Sequence, residues 1–253
     1  MIRPRVIPCL LLANRGLVKT LKFANPTYVG DPINAIRIFN DKEVDELIVL
    51  DIEASKAGRE PAYDQVEEFA GECFMPLCYG GGITSVEQVK RLLSIGVEKV
   101  SIQTHALRDL ELVSAIASRY GRQAVVVSID IKKNLLGQHK LYAAATGKTL
   151  SRSWSEFLAE AVAAGAGEIL INAVDRDGTM SGMDIPLIEA AASACSVPLI
   201  ASGGAGSLAD LKAASRAGAG AVAAGAIFVF HGPHRAVLIT YPRYDEITAL
   251  MNS

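Results

Sequence analysis

Cysteine is scarce in this chain: Cys9, Cys73, Cys78 and Cys195 are the only four in 253 residues, and none belongs to a Cys-x-x-Cys pair. That density argues against a disulfide framework, and Cys9 and Cys78 lie in apolar runs where cysteine serves as a small core residue. Histidine is equally sparse. His231 and His234 are the one close pair, and the Gly-Pro between them breaks the helical spacing of a zinc motif. No metal and no cofactor is expected. An excess of one charge is also missing: 25 Lys and Arg against 27 Asp and Glu leave −2, so no basic footprint points to nucleic acid. Apolar runs fall short of the ~20 residues that a membrane span needs. No cationic segment followed by an apolar stretch opens the chain. These absences predict a cytoplasmic globular protein without membrane or nucleic-acid partners.

What is present is enough to build a large core. Half the residues are hydrophobic and 21% are charged. Short apolar runs at 6–12, 47–51, 76–79, 99–102, 124–130, 168–172, 198–202 and 221–224 alternate with longer amphipathic stretches. Continuous apolar runs of this length suit strands of a parallel sheet covered on both faces. The stretches at 85–94, 110–120 and 207–217 carry the helical period, with Val86, Val89, Leu92 and Leu93 recurring in the first. Eight βα units at about 32 residues each match the size of one such repeat. No linker or composition break divides the chain, so residues 1–253 read as one domain.

The sequence also repeats itself. Pro76-Leu-Cys-Tyr-Gly-Gly-Gly-Ile-Thr-Ser-Val-Glu-Gln-Val-Lys90 returns 122 residues later as Pro198-Leu-Ile-Ala-Ser-Gly-Gly-Ala-Gly-Ser-Leu-Ala-Asp-Leu-Lys212. Gly81 and Gly203, Ser85 and Ser207, and Gly96 and Gly218 correspond at that offset. A repeat of nearly half the chain predicts a (β/α)8 TIM barrel built from half-barrels at about 1–122 and 123–253. In such a barrel the active site occupies the C-terminal ends of the strands. Glycine-rich segments fall there: Gly80-Gly-Gly82, Ser202-Gly-Gly204 and Gly225-Ala226, with Asp175-Arg-Asp-Gly-Thr179 after the sixth strand. Glycines between a strand and a helix let backbone N–H groups approach an anion, although they also serve plain tight turns. Two equivalent sets half a chain apart predict a substrate with a phosphate at each end.

Together, Val6-Ile-Pro-Cys-Leu10, Gly30-Asp-Pro32, Leu50-Asp51, Gly80-Gly-Gly-Ile83, Gln123-Ala-Val-Val-Val127, Asp130, Asp175-Arg-Asp-Gly-Thr179 and Ala201-Ser-Gly-Gly-Ala-Gly206 resemble the cyclase subunit of imidazole glycerol phosphate synthase. The resemblance covers Arg5 to about Phe230. It implies a lyase that takes ammonia from a glutamine amidotransferase subunit, in a heterodimer, and uses it to cleave and cyclise a bis-phosphorylated ribonucleotide. By position it implies phosphate contacts from Gly82, Gln103 and Thr104 on one side, and from Asp177, Gly178, Gly204, Gly225 and Ala226 on the other. The family usually has Asn at the position of Gln103 and often Ser at that of Ala226. Lys19, in a long loop after the first strand, matches a lysine that closes over substrate. Arg5, Glu46, Lys99 and Glu168, near the strand starts, match an ammonia gate; two cations and two anions there can also form a stabilising ring of charge-assisted hydrogen bonds.

One departure stands out. The family pairs an aspartate ending the first strand with another ending the fifth, dividing acid and base roles. Asp130 is the second, but Leu11 stands in place of the first. Members with leucine there resemble a branch found with bacterial surface-polysaccharide genes. That branch implies ammonia directed to amidination of an amino sugar, with a sugar-amidating enzyme as a further partner. The ending His231-Gly-Pro-His-Arg-Ala-Val-Leu-Ile-Thr-Tyr-Pro242 also differs from the usual cyclase and fits it. The alternatives are the histidine-biosynthesis cyclase itself, working with Asp130 alone, and a non-catalytic barrel that only conducts ammonia.

Overall fold

The computed structural model describes residues 3–252. The chain runs through β1 (Arg5–Ala13), β2 (Gly16–Leu21), β3 (Ala24–Gly30), α1 (Pro32–Asp41), β4 (Leu47–Asp51), α2 (Tyr63–Glu72), β5 (Leu77–Gly80), α3 (Val86–Ser94), β6 (Lys99–Ile102) and α4 (Glu111–Tyr120). After a 3-10 turn it continues through β7 (Val125–Lys133), β8 (His139–Ala143), β9 (Lys148–Thr149), α5 (Trp154–Ala163), β10 (Glu168–Ala173), α6 (Ile185–Ala194), β11 (Leu199–Ser202) and α7 (Leu208–Arg216). It ends with β12 (Ala221–Ala224), α8 (Ala226–Val229), β13 (Phe230–His231), β14 (Ala236–Val237) and α9 (Tyr244–Asn252).

Each of the eight apolar runs becomes a strand of one closed parallel barrel. Its order is β1, β4, β5, β6, β7, β10, β11 and β12, and β12 pairs back onto β1. This is the (β/α)8 barrel that the sequence predicts. Because side chains alternate along a strand, each run supplies two layers. Val6, Leu10 and Leu12 face the helices, where Val89, Leu92, Ile116, Phe157 and Leu211 pack against the outer surface of the barrel. Ile7 and Cys9 turn inward to meet Ile48, Cys78, Val126, Leu170 and Ile200 in a separate apolar column along the barrel axis.

The offset of 122 residues has physical content. Ser85 caps α3 by accepting from the Gln88 N–H at 3.3 Å, and Ser207 caps α7 by accepting from the Asp210 N–H at 3.3 Å. In both, the N3 side chain answers the cap's own backbone, which completes a capping box. Cys73 and Cys195 each donate a thiol hydrogen bond to a carbonyl two residues on, Met75 at 3.4 Å and Val197 at 3.2 Å. A Cβ at Gly96 would lie 3.1 Å from the Ala70 methyl, and one at Gly218 would lie 2.7 Å from the Ala192 methyl.

The structure departs from the sequence reading beyond the barrel rim. Lys19 lies on β2 of an antiparallel hairpin formed by β2 and β3, not in a loop. A second hairpin, β8 and β9, extends β7 in the same way. The first is joined through Asn14-Arg15 and turns back at Lys22-Phe23, and all four residues hold positive φ of 48 to 65°. Turns of this hand match the twist of paired strands. They usually advertise themselves through Asn-Gly or Asp-Gly, which neither has. Burial of Leu17 and Val18 against the barrel stabilises the hairpin despite the unfavoured turn residues.

The twin caps yield a test. Ser85→Ala and Ser207→Ala should each cost about 1 kcal/mol, and the double variant should show their sum, because the two caps share no partner. Urea denaturation followed by circular dichroism measures this. A neutral result at either serine would show that the cap at that position carries no stability.

Candidate active site

Lys19, Asp130 and all eight residues expected to contact phosphate line a single cavity at the C-terminal ends of the barrel strands. Asp130 is a strongly perturbed group within it. It projects from β7, is buried, and accepts a hydrogen bond from Gln103 Nε2 at 2.6 Å. Burial pushes its carboxyl up to about 8, with the nearby Asp177 charge adding to the shift. A carboxyl poised near neutrality can both give and take a proton, as general acid–base catalysis requires.

Asp177 sits in the loop after β10, where burial raises its pKa while Lys19 and a 3.0 Å hydrogen bond from Thr20 Oγ1 pull the other way. The β2–β3 hairpin brings those two partners over the cavity. Lys19 runs inward, and its Nζ donates to the Cys9 carbonyl at 2.9 Å. Burial lowers its pKa, an effect that Cys9 and Asp177 oppose. Gly225 clears the way for it, since a Cβ there would lie 1.8 Å from Nζ. Leu11 lines the same cavity and, with Leu50, packs on the apolar column, presenting a hydrocarbon surface to it.

The glycine loops have a steric reason to be glycine. Gly82, Gly178 and Gly204 all have positive φ, and a Cβ on each would come within 2.1–2.3 Å of the Arg59, Thr20 and Gly182 carbonyls respectively. The amides just before α3 and α7 are already in use. The N–H groups of Thr84 and Ser85 donate to Gln88 Oε1 at 2.7 and 3.2 Å. Those of Gly206 and Ser207 donate to Asp210 Oδ2 at 3.0 and 2.9 Å. The capping boxes therefore use these amides, while the first two N–H groups of each helix itself have no protein acceptor among the described residues. Gly82 N–H is held by Ser55 Oγ at 3.3 Å, whereas the Gly178 and Gly204 N–H groups have no protein acceptor among the described residues. Gln103 is likewise committed: its amide bridges Asp130 and the Tyr142 carbonyl, the latter at 3.2 Å.

Three polar groups were missed in the sequence reading. Ser101 and Ser128 share a 2.7 Å hydrogen bond inside the barrel. The Asn172 Oδ1 is buried without a partner at the mouth. Their signal is a polar residue within an otherwise apolar run. Asp51, a rival carboxylate by position, is occupied by its own loop, accepting from the Glu53 and Ala54 N–H groups at 2.9 Å. Among the described residues no group of three or more His, Cys, Asp or Glu is placed to hold a metal, and no helix is long and apolar enough to cross a membrane.

At the opposite end, Arg5, Glu46, Lys99 and Glu168 close into a ring. Arg5 Nη1 donates to Glu46 Oε2 and Nη2 to Glu168 Oε1, the latter at 2.6 Å. Lys99 Nζ donates to Glu46 Oε2 at 2.9 Å and to Glu168 Oε2 at 3.2 Å. Burial raises the Glu46 pKa against the pull of Lys99 and Arg5, and its Oε1 has no partner. For Arg5, burial favours loss of the proton, but Glu46 and Glu168 outweigh it and raise the pKa. Ring, apolar column, serine pair and Asp130 follow one another along the barrel from one end to the other.

The Asp130 environment predicts a reversed pH dependence of stability. An unfolded aspartate loses its proton near ~3.9, but here the folded carboxyl keeps it to about 8. The folded form therefore binds more protons across that window. The stability contributed by Asp130 is fully present below the lower value and is lost as pH rises to the upper one. Asp130→Asn cannot titrate and should gain stability over the unmodified protein as pH rises from about 5 to about 8. Chemical denaturation at both ends of that range checks the sign. Parallel behaviour of the two proteins would place the Asp130 pKa near its ordinary value.

The comparisons with known proteins agree with this architecture. A family model described as "Histidine biosynthesis protein" matches residues 5–234. A Pseudomonas aeruginosa protein named "Putative imidazole glycerol phosphate synthase subunit hisF2" is 56% identical over 98% of this chain and 99% of its own length. A Leptospira interrogans protein named "Putative imidazole glycerol phosphate synthase subunit HisF" is 48% identical over 99% of each chain. The "Imidazole glycerol phosphate synthase subunit HisF" of Streptococcus sanguinis is 42% identical over 82% of each. With a closed eightfold barrel, a single mouth cavity and a match across nearly its whole length, the chain belongs to the histidine biosynthesis protein family.

Proposed function

We propose that this chain is the cyclase subunit of an imidazole glycerol phosphate synthase, a lyase that accepts ammonia from a glutamine amidotransferase subunit and acts on a doubly phosphorylated ribonucleotide. The observation that carries this reading is the alignment of a charged ring, an apolar column and a buried acid along one barrel axis. Neutral ammonia crosses an apolar passage at little cost, whereas an ammonium ion would have to shed its hydration there. Ammonia admitted at the ring end would therefore emerge beside Asp130 as a nucleophile. In this reading Asp130 exchanges protons with the reacting atoms. Gln103 is a positioning residue that holds the carboxyl, and Lys19 supplies positive charge at the rim. One phosphate rests near Gly82 and Thr104, the other near Asp177, Gly178, Gly204, Gly225 and Ala226.

Leu11 favours a second reading, in which the same ammonia route serves another acceptor. The site then supplies nitrogen for amidination of a surface-polysaccharide amino sugar, and a sugar-amidating enzyme becomes a further partner. The distinctive ending at 231–242 supports it. A purely ammonia-conducting scaffold is the weaker account, because conduction alone has no use for an acid held by Gln103 in a cavity of this chemistry.

Two experiments separate these readings. With ammonium salt supplied directly, the unmodified chain should turn over the histidine-pathway ribonucleotide slowly, Leu11→Asp should raise the rate, and Asp130→Asn should abolish it. Proton transfer by one positioned group is worth ~10²–10⁴-fold, which sets the gain and loss to look for. If neither the unmodified chain nor Leu11→Asp shows turnover, the second acceptor is favoured. In the other experiment, size-exclusion chromatography with the cognate glutamine amidotransferase should show a heterodimer docked on the face bearing Arg5, Glu46, Lys99 and Glu168. A pair that stays separate at tens of micromolar, with glutaminase activity unchanged, would remove the partner from the proposal.

A further inference from the structure

A hairpin after the eighth barrel strand reaches the loop after β10, beside the mouth. The β13–β14 hairpin pairs Phe230 with Val237 and His231 with Ala236, and the Arg235 N–H closes its turn on the Gly232 carbonyl at 3.1 Å. From this turn Arg235 reaches across to the loop after β10, where Nη2 donates to the Gly178 carbonyl at 2.7 Å. Its guanidinium lies over the Phe230 ring, 4.7 Å from the centroid. Arg235 also holds φ at 51°, a conformation that L side chains rarely adopt and that its surroundings must maintain. The hairpin thus carries an exposed cation, at some backbone cost, to the edge of the site.

We propose that Arg235 is a binding residue for the phosphate on the Gly178 and Gly204 side of the cavity. This rests on the doubly phosphorylated substrate proposed above and adds the side chain that recognises one end of it. That side otherwise offers mainly backbone donors. Gly178 and Gly204 have free N–H groups among the described residues, and Ala226 has no hydroxyl. Lys19 is turned inward to the Cys9 carbonyl. The Asp177 carboxylate, which would repel an anion, is held by Thr20. A guanidinium has five N–H donors in a planar fork suited to phosphate. The Gly178 contact uses one of them and leaves the others free at the edge of that loop.

The test is a titration of the full chain with inorganic phosphate, followed by amide chemical shifts. Gly178 and Gly204 report one site, while Gly82 and Thr104 report the other. Arg235→Gln should weaken binding at the first site by roughly 10- to 100-fold, the scale of a lost charged hydrogen bond, and leave the second unchanged. Arg235→Lys should fall between, keeping the charge without the fork. Equal affinity in Arg235→Gln, or equal weakening at both sites, overturns the proposal. The absence of saturable shifts at either site in the unmodified chain would instead overturn the doubly phosphorylated substrate. A phosphate-soaked crystal guards against a mere loop-support role. Arg235 nitrogens within hydrogen-bond distance of the anion support direct binding, and an anion on backbone amides alone overturns it.

Discussion

Closing eight parallel strands on themselves forces every second side chain into a narrow interior, and the rest of this molecule follows from how that space is filled. Hydrocarbon in the middle makes the column dry, with Ile7, Ile48, Val126, Leu170 and Ile200 at its centre. Polar groups can then survive only at the two ends. At one end they must neutralise one another, and Arg5, Lys99, Glu46 and Glu168 do so in a ring with no net charge. Deleting one member of such a buried set leaves its partner uncompensated, which typically costs about 3–5 kcal/mol. At the other end the polar groups meet a cavity, and their incomplete compensation makes them reactive.

Asp130 shows how the same dryness becomes chemistry. The Gln103 hydrogen bond favours its charged form, yet loss of solvent outweighs that bond and holds the pKa near neutrality at about 8. Leu11 belongs to this balance. A carboxylate at that position would bring polarity and hydration to the mouth, whereas a leucine packed with Leu50 extends the apolar column up to the acid. Asp177, tied to Thr20 and facing Lys19, is the remaining carboxylate that acts on Asp130 through space. Leucine at this position therefore helps set the dry surroundings of the acid.

The two rims are built by additions to the barrel. The β2–β3 hairpin places Lys19 and Thr20 over the cavity, and the β13–β14 hairpin brings Arg235 to Gly178. The bottom of the barrel has a comparable anchor in the chain's last segment: Tyr241 donates its buried hydroxyl to the Val6 carbonyl at 2.9 Å. This segment is thus fastened both to the first strand and to the loop after β10.

Sequence by itself determined the barrel, because continuous apolar runs, helical periodicity and the 122-residue repeat are local signals that survive without coordinates. Strand ends located the glycine-rich loops at the mouth, and the family resemblance matched the individual residues, Lys19 among them, onto that frame. The four ring members were named by the same resemblance, and their place at strand starts is what lets them close on one another. The β2–β3 hairpin was beyond it: Asn14-Arg15 and Lys22-Phe23 take left-handed turns without the usual glycine, and they are held by burial of Leu17 and Val18 and by long-range bonds such as Lys22 N–H to the Asp177 carbonyl at 2.9 Å. The partners of Gln103, the spent amides of the capping boxes and the reach of Arg235 to Gly178 were likewise decided in three dimensions. Each depends on contacts between residues far apart in sequence, and on competition among donors for the same acceptor. The pKa of Asp130 belongs with them, for burial is a property of everything packed around a group and of nothing in its own identity.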